Sequence, residues 1–184
     1  KEVEIMKMKW MILDVIEVCY RGIERPCALY AGTHFFKKDS ISYLWDWYLN
    51  ECDDSEIWIS NPNLDQKQKL VDLYSTLKLK NFKGDLIVIS KEKDIDLNGF
   101  EFLGYDVVGD SLAYSVIYES LFAQYTVFDN QFCKYRNKLN SNGLFKDMDD
   151  AHNFTQLVNS LNQAQPDTFE YDTNLWPIKV FSKI

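Results

Sequence analysis

Chemistry in a polypeptide begins with groups that exchange a proton, hold a metal or attack an electrophile, and this sequence is sparing with them. Only two histidines occur, His34 and His152. A Ser-His-Asp or Cys-His mechanism needs a base to activate its nucleophile, so one of these two would have to serve. His34 closes the string Ala31-Gly32-Thr33-His34 and His152 follows Asp149-Asp150-Ala151, with no G-x-S-x-G elbow in the chain. Both read as surface or structural histidines.

Paired carboxylates are the next candidates, because acid-base hydrolysis needs only two at a defined separation. Asp53-Asp54, Asp94 with Asp96, and Asp149-Asp150 are the local pairs. Neighbouring residues on a helix point about 100° apart, so Asp149 and Asp150 do not converge naturally. Near a helix start they have the simpler role of complementing its dipole. Asp94 and Asp96 fall in a polar connection, where solvated loop charge is the default reading. An Asp149, Asp150 and His152 metal site has little to recommend it over that helix-start role.

Cys19, Cys27, Cys52 and Cys133 include no C-x-x-C pair and no histidine at ligand spacing, so reduced core thiols are expected instead of zinc. Neither G-x-G-x-x-G nor G-x-x-x-x-G-K-[ST] occurs, and seven scattered glycines offer no phosphate cradle. No metal and no cofactor are expected.

Charge is more informative because it is uneven. The chain carries 20 Lys and Arg against 28 Asp and Glu, a net charge of -8 over 184 residues. Residues 1–92 hold 13 bases and 15 acids, whereas residues 93–184 hold 7 bases and 13 acids. From Asp94 to Cys133 there are Asp94, Asp96, Glu101, Asp106, Asp110, Glu119 and Asp129 but no Lys or Arg; Asp147 to Ile178 is also base-free. A surface of this sign repels nucleic-acid phosphates and anionic lipid and attracts a cationic partner. Ordinary solubility charge explains such an asymmetry equally simply.

These residues need elements to position them. At 46% hydrophobic and 15% aromatic content the chain can build a core, and one of this length buries roughly 70% of its unfolded surface. No apolar run approaches the roughly 18 to 20 residues of a membrane span, and Lys1 to Trp10 mixes charge with apolar residues unlike a signal peptide. A cytoplasmic protein with no membrane and no nucleic-acid partner is the expectation.

Met8 to Tyr20 reads as a strand, Arg21-Gly22 as a turn and Cys27 to Phe36 as the returning strand of a hairpin. Asp39 or Ser40 starts a helix to about Glu51; Glu56 to Ser60 is a short strand, and Leu64 to Asn81 is a second helix with Leu70, Leu73, Tyr74 and Leu77 on one face. Its lysines read as a solvated face. Asp85 to Ser90 and Phe100 to Val108 are strands, and the connection between them leaves hairpin and crossover both open.

From Gly109-Asp110-Ser111 a long helical pattern runs through Tyr114 to Leu139, with a break expected near Thr126 to Asn130. Gly143 suits a left-handed cap, Asp147 to about Gln163 is the last helix, and Trp176 to Phe181 is a terminal strand. The expected fold is α/β or α+β. It is a single globular domain over residues 1–184, with a mixed β-sheet, an N-terminal antiparallel hairpin and about four to five packed helices.

Phe102-Leu103-Gly104-Tyr105-Asp106-Val107, Ser115 to Tyr118, and Leu139-Asn140-Ser141-Asn142-Gly143-Leu144-Phe145 before an acidic helix containing Ala151 together resemble small bacterial immunity proteins of toxin systems. Those paired with contact-dependent growth inhibition toxins are among them. The resemblance covers about residues 100 to 180. It implies a cytoplasmic protein that binds one toxin domain, often a nuclease, and blocks its active site or substrate groove.

Composition agrees, since an inhibitor offering carboxylates to a basic nuclease gains steering and specificity. The candidate partner-binding residues are Asp94, Asp96, Glu101, Asp106, Asp110, Asp149 and Asp150, with Tyr105 and Tyr114 as aromatic anchors. A non-inhibitory scaffold protein and a small carboxylate-pair hydrolase are the competing expectations.

Overall fold

The computed structural model describes residues 6–13, 17–20, 23–26, 58–81, 85–109, 115–118, 120–121, 128–166 and 174–184. The first strand, β1 (Met8–Leu13), is buried from Met8 through Ile12, its alternate residues facing the two layers that cover the sheet. It pairs with β4 (Trp58–Ser60) on one edge and β5 (Asp85–Ser90) on the other. The C-terminal strand β7 (Leu175–Lys183) inserts between β5 and β6 (Phe100–Gly109), giving the order β4-β1-β5-β7-β6.

Every neighbouring pair in this sheet is antiparallel, which corrects the expected mixed sheet. The reason is β7. Because both β5 and β6 run against it, they are parallel to each other without touching, and a pattern of strands separated by helices does not reveal which strand comes between.

The hairpin expected from Met8 to Phe36 is shorter than read. β1 takes no part in it; β2 (Glu17–Tyr20) pairs with β3 (Ile23–Pro26) in a separate two-stranded sheet, with Tyr20 opposite Ile23 across the expected turn. Cys27 to Phe36 and the helix expected from Asp39 to Glu51 lie outside the described residues.

The expectation of four to five helices is also corrected. Among the described residues there are three, α1 (Leu64–Leu79), α2 (Asp129–Arg136) and α3 (Met148–Ala164), and one isolated turn at Val116–Tyr118. Within the long pattern after Gly109, α2 begins at Asp129 with Phe128 as its N-cap, at the break expected near Thr126 to Asn130, and Val116, Ile117, Leu121, Phe128, Phe132 and Tyr135 all bury in one cluster. Three- and four-residue spacing identifies which residues face a core.

Capping marks the two long helices. Asn63 accepts from the Gln66 amide at 2.9 Å while the Gln66 side chain accepts from the Asn63 amide at 2.9 Å, a reciprocal cap that fixes the start of α1. Asp147 accepts from the Asp150 amide at 3.0 Å and starts α3.

Strand register assigns the cores to faces. Trp10, Val88, Phe181 and Phe102 are aligned across β1, β5, β7 and β6 and therefore share a face. Along β7, Leu175 and Phe181 lie an even number of residues apart and so face the same way. Two clusters thus occupy one face. At the first, α1 packs Leu70, Leu73, Tyr74 and Leu77 on Met8, Trp10, Ile12, Leu86 and Val88. At the second, Phe132, Phe145, Phe154 and Val158 gather over Val107 and Leu175. The opposite face buries Met11, Ile87, Ile89, Ile178 and Val180 in a third cluster.

Candidate interaction surface

The connection from β5 to β6, Lys91–Gly99, has to pass over β7, and its sequence suits that path. Asp94-Ile95-Asp96-Leu97 alternates acid with aliphatic. Ile95 and Leu97 pack down on the first cluster, leaving Asp94 and Asp96 exposed on the outside. From below, the Lys179 ammonium donates to the Lys93 carbonyl and the Lys183 ammonium to the Gly99 carbonyl at 3.0 Å. Both lysines stand on the β7 face that carries the helices, so charge on one strand holds the crossing chain against the sheet.

Beside this connection the β6 ladder is irregular. Phe102 pairs with Phe181 and Gly104 with Val180, so Leu103 is the extra residue of a bulge. In a regular strand Phe102 and Tyr105 would face opposite sides. The bulge turns them to one side, with ring centroids 5.0 Å apart edge to face, and Phe102 also meets Phe181 at 5.4 Å. Phe102 remains 42% exposed and Tyr105 half-buried, an aromatic pair of the kind that anchors interfaces.

Residues 139–145 hold the bulge in place. Tyr105 and Phe145 exchange both backbone hydrogen bonds at 2.9 Å, and Asn140 donates its amide to the Leu103 carbonyl at 2.7 Å. The Asn140 side-chain oxygen accepts from the amides of Asn142 (2.9 Å) and Leu144 (3.2 Å), and Gly143, at φ 69°, closes the turn. Gly143 therefore ends a loop, not a helix. Gly104 has φ 138°, and a Cβ there would stand 2.7 Å from the Phe145 carbonyl oxygen and 2.9 Å from the Leu144 Cβ. The strings Phe102–Val107 and Leu139–Phe145, which carried the sequence resemblance, are in contact. Their shared task is to shape this edge.

The remaining candidates separate. Glu101 is exposed but, paired with Ser182, projects to the face opposite Phe102. Asp106 is 1% exposed and accepts from the Val107 amide at 2.6 Å, a structural position from which no carboxylate reaches a partner. Asp149 is exposed in the first turn of α3. Asp150 forms an ion pair with Lys138, and this hydrogen bond raises the Lys138 pKa. Asp110 and Tyr114 lie outside the described residues. Among the described residues the candidate carboxylates therefore do not form one continuous patch, and Lys179 and Lys183 hold the connection that carries Asp94 and Asp96.

Sequence reading missed Phe102, although Gly104 inside a strand pattern is the ordinary mark of a bulge. Cys133 is a free, exposed thiol instead of a core residue. His152 is exposed and contacts Gln156 at 3.1 Å; His34 lies outside the described residues. Among the described residues no three His, Cys, Asp or Glu side chains gather as a metal site, and no helix is long and apolar enough to cross a membrane. No family model, curated protein or solved structure matches the chain.

Proposed function

We propose that this chain is an immunity-type protein of the cytoplasm that binds and neutralises a cognate bacterial toxin domain, a basic nuclease, in a stoichiometric complex. The observation that supports this reading most directly is the partly exposed Phe102–Tyr105 pair on the sheet face crossed by the connection that carries the exposed Asp94 and Asp96. Interfaces concentrate affinity in partly buried aromatic anchors, and rim carboxylates speed encounter with a cationic partner. Asp106 and Asp150 have structural partners and are left out of the docking set. Asp149 is exposed at the start of α3, and its charge reversal serves as a control.

The reading is tested by purifying the full chain with its partner from the native host, identifying the partner and reconstituting the complex. The expected partner is a basic nuclease whose activity falls to zero at one equivalent. Phe102→Ala should weaken binding about tenfold or more, and Asp94→Lys with Asp96→Lys should slow association and reduce its salt dependence. Asp94 and Asp96 are exposed, so the urea midpoint of the lysine variant should hold, whereas Phe102→Ala loses ring contacts with Tyr105 and Phe181 and its affinity is read per folded molecule. Unchanged affinity in both variants, or a partner with no net positive surface, would overturn the proposal.

A further inference from the structure

Strand alternation decides which backbone groups of β6 point out of the sheet. The Ile184 amide donates to the Gly99 carbonyl at 3.1 Å, which makes Phe100 and Lys183 a pair that exchanges no bonds of its own. Glu101 therefore turns its backbone groups inward to Ser182, and Phe102 turns both of its own outward, away from β7. Past Phe102 the edge is taken: the Leu103 carbonyl accepts from Asn140 at 2.7 Å, and Tyr105 exchanges bonds with Phe145. Before it, the Phe100 amide donates to the Leu97 carbonyl at 3.1 Å. Among the described residues this leaves the Phe100 carbonyl and the Phe102 amide and carbonyl facing outward with no backbone partner.

The side chains of this stretch differ from those of the rest of the strand. Glu101 and Phe102 are exposed on opposite faces, whereas Gly104 and residues 106–109 are buried. Neither layer covers the edge here. An acceptor, a donor and an acceptor in a row match the main chain of one added strand, which draws affinity from such bonds and specificity from alternate side chains. Its residue opposite Phe102 packs on an aromatic ring, and its residue opposite Glu101 meets a carboxylate. A second copy of this chain fits less well, because self-pairing about Phe102 sets Glu101 against Leu103 and brings together two chains each of net charge -8.

We propose that the basic partner docks by laying one extended segment antiparallel along Phe100–Phe102, with a β-branched or aromatic residue opposite Phe102 and Lys or Arg opposite Glu101. The inference rests on the partner reading and deepens it. It names the element of the partner that binds, and it makes main-chain bonds a source of affinity alongside the Phe102 ring.

The test compares two variants of the full chain against the partner recovered from the native host. Phe102→Ala removes the ring and keeps the amide; Phe102→Pro removes both, at an outward-facing edge position that tolerates proline. Phe102→Pro is expected to bind about three- to tenfold more weakly than Phe102→Ala, the scale of one hydrogen bond. Independently of either variant, exchange of the Phe102 amide in the parent chain, followed by NMR, should be fast when free and slow in the complex. Cross-strand nuclear Overhauser contacts should then link Glu101 and Leu103 to an extended segment of the partner. Equal affinity of the two variants, or a bound parent whose Phe102 amide still exchanges at its free rate, would overturn strand addition while leaving a basic partner in place. A partner with no basic surface overturns both readings. Self-association of the chain, lost in Phe102→Pro, would assign the edge to a second copy and overturn this inference alone.

Discussion

The two clusters on one face of the sheet reach the same burial by different routes. At the α1 end the apolar residues come from regular elements: alternate positions of β1 and β5, and Leu70, Leu73, Tyr74 and Leu77 on one side of a capped 16-residue helix. At the α2–α3 end they come from scattered pieces, with Val107 on a strand, Ile117 in a single turn, Phe145 in a loop and Phe154 on a helix. The first is held by periodicity and the second by aromatic contact. Phe154 alone meets Phe132 at 5.8 Å, Tyr135 at 5.2 Å and Phe145 at 5.4 Å. The irregular end also adjoins the bulge that pairs Phe102 with Tyr105, so the less regular region carries the candidate surface.

The contrast breaks most sharply at Phe154. Phe154→Ala removes three ring contacts at once and should lower stability by about 4 kcal/mol, the scale of a fully buried phenylalanine truncation. Urea denaturation measures it, with amide exchange expected to quicken in α2 and α3 before α1. Equal loss of protection in both ends would show that they unfold as one unit.

Gly104→Ala comes next. Its φ of 138° and the 2.7 Å approach to a backbone oxygen leave no room for a methyl group, and a loss of roughly 3 kcal/mol is expected. The nuclear Overhauser contacts between the Phe102 and Tyr105 rings should disappear with it. A variant that keeps both its midpoint and those contacts would mean the bulge does not depend on glycine.

Asn140→Ala removes one donor and two acceptor contacts from the loop that holds the bulge and should cost about 2 kcal/mol. The β1 and β5 amides should keep their protection.

The smallest effect belongs to the regular end and depends on pH. Burial raises the Asp85 pKa, with Lys78 acting in the opposite direction. A carboxyl group whose folded pKa exceeds its unfolded one stabilises the fold while protonated, below the unfolded value, and loses that contribution as pH rises through the folded value. At neutral pH its charge is therefore unfavourable. Asp85→Asn should raise the thermal midpoint at pH 7, with the gain shrinking as pH falls through the raised folded value and gone once it is below the ordinary carboxylate range. A gain that grows on acidification would have the wrong sign for a buried, unfavourable charge.

Much of the regular secondary structure at both ends is legible in the sequence. Asp85 to Ser90, Phe100 to Val108, the Leu64 helix with its apolar side, and Asp147 at the start of the last helix all follow from short-range spacing and capping. Less of the candidate surface is. Tyr105 was singled out as an anchor and Asp94 and Asp96 as outward carboxylates, but Asp106 looked equally available from its sequence alone. Strand alternation around a bulge cannot be assigned until the bulge is located.

The amino-acid order by itself determined the acidic balance, the limits of several strands and two helices, and which side of each helix is apolar, because these depend on residues within about one turn or one pleat of each other. Tertiary structure alone decided that β7 enters between β5 and β6, that β1 lies inside the sheet between β4 and β5, and that Leu139–Phe145 locks the bulge. Those outcomes depend on which distant segments share a ladder, and no local pattern encodes that choice.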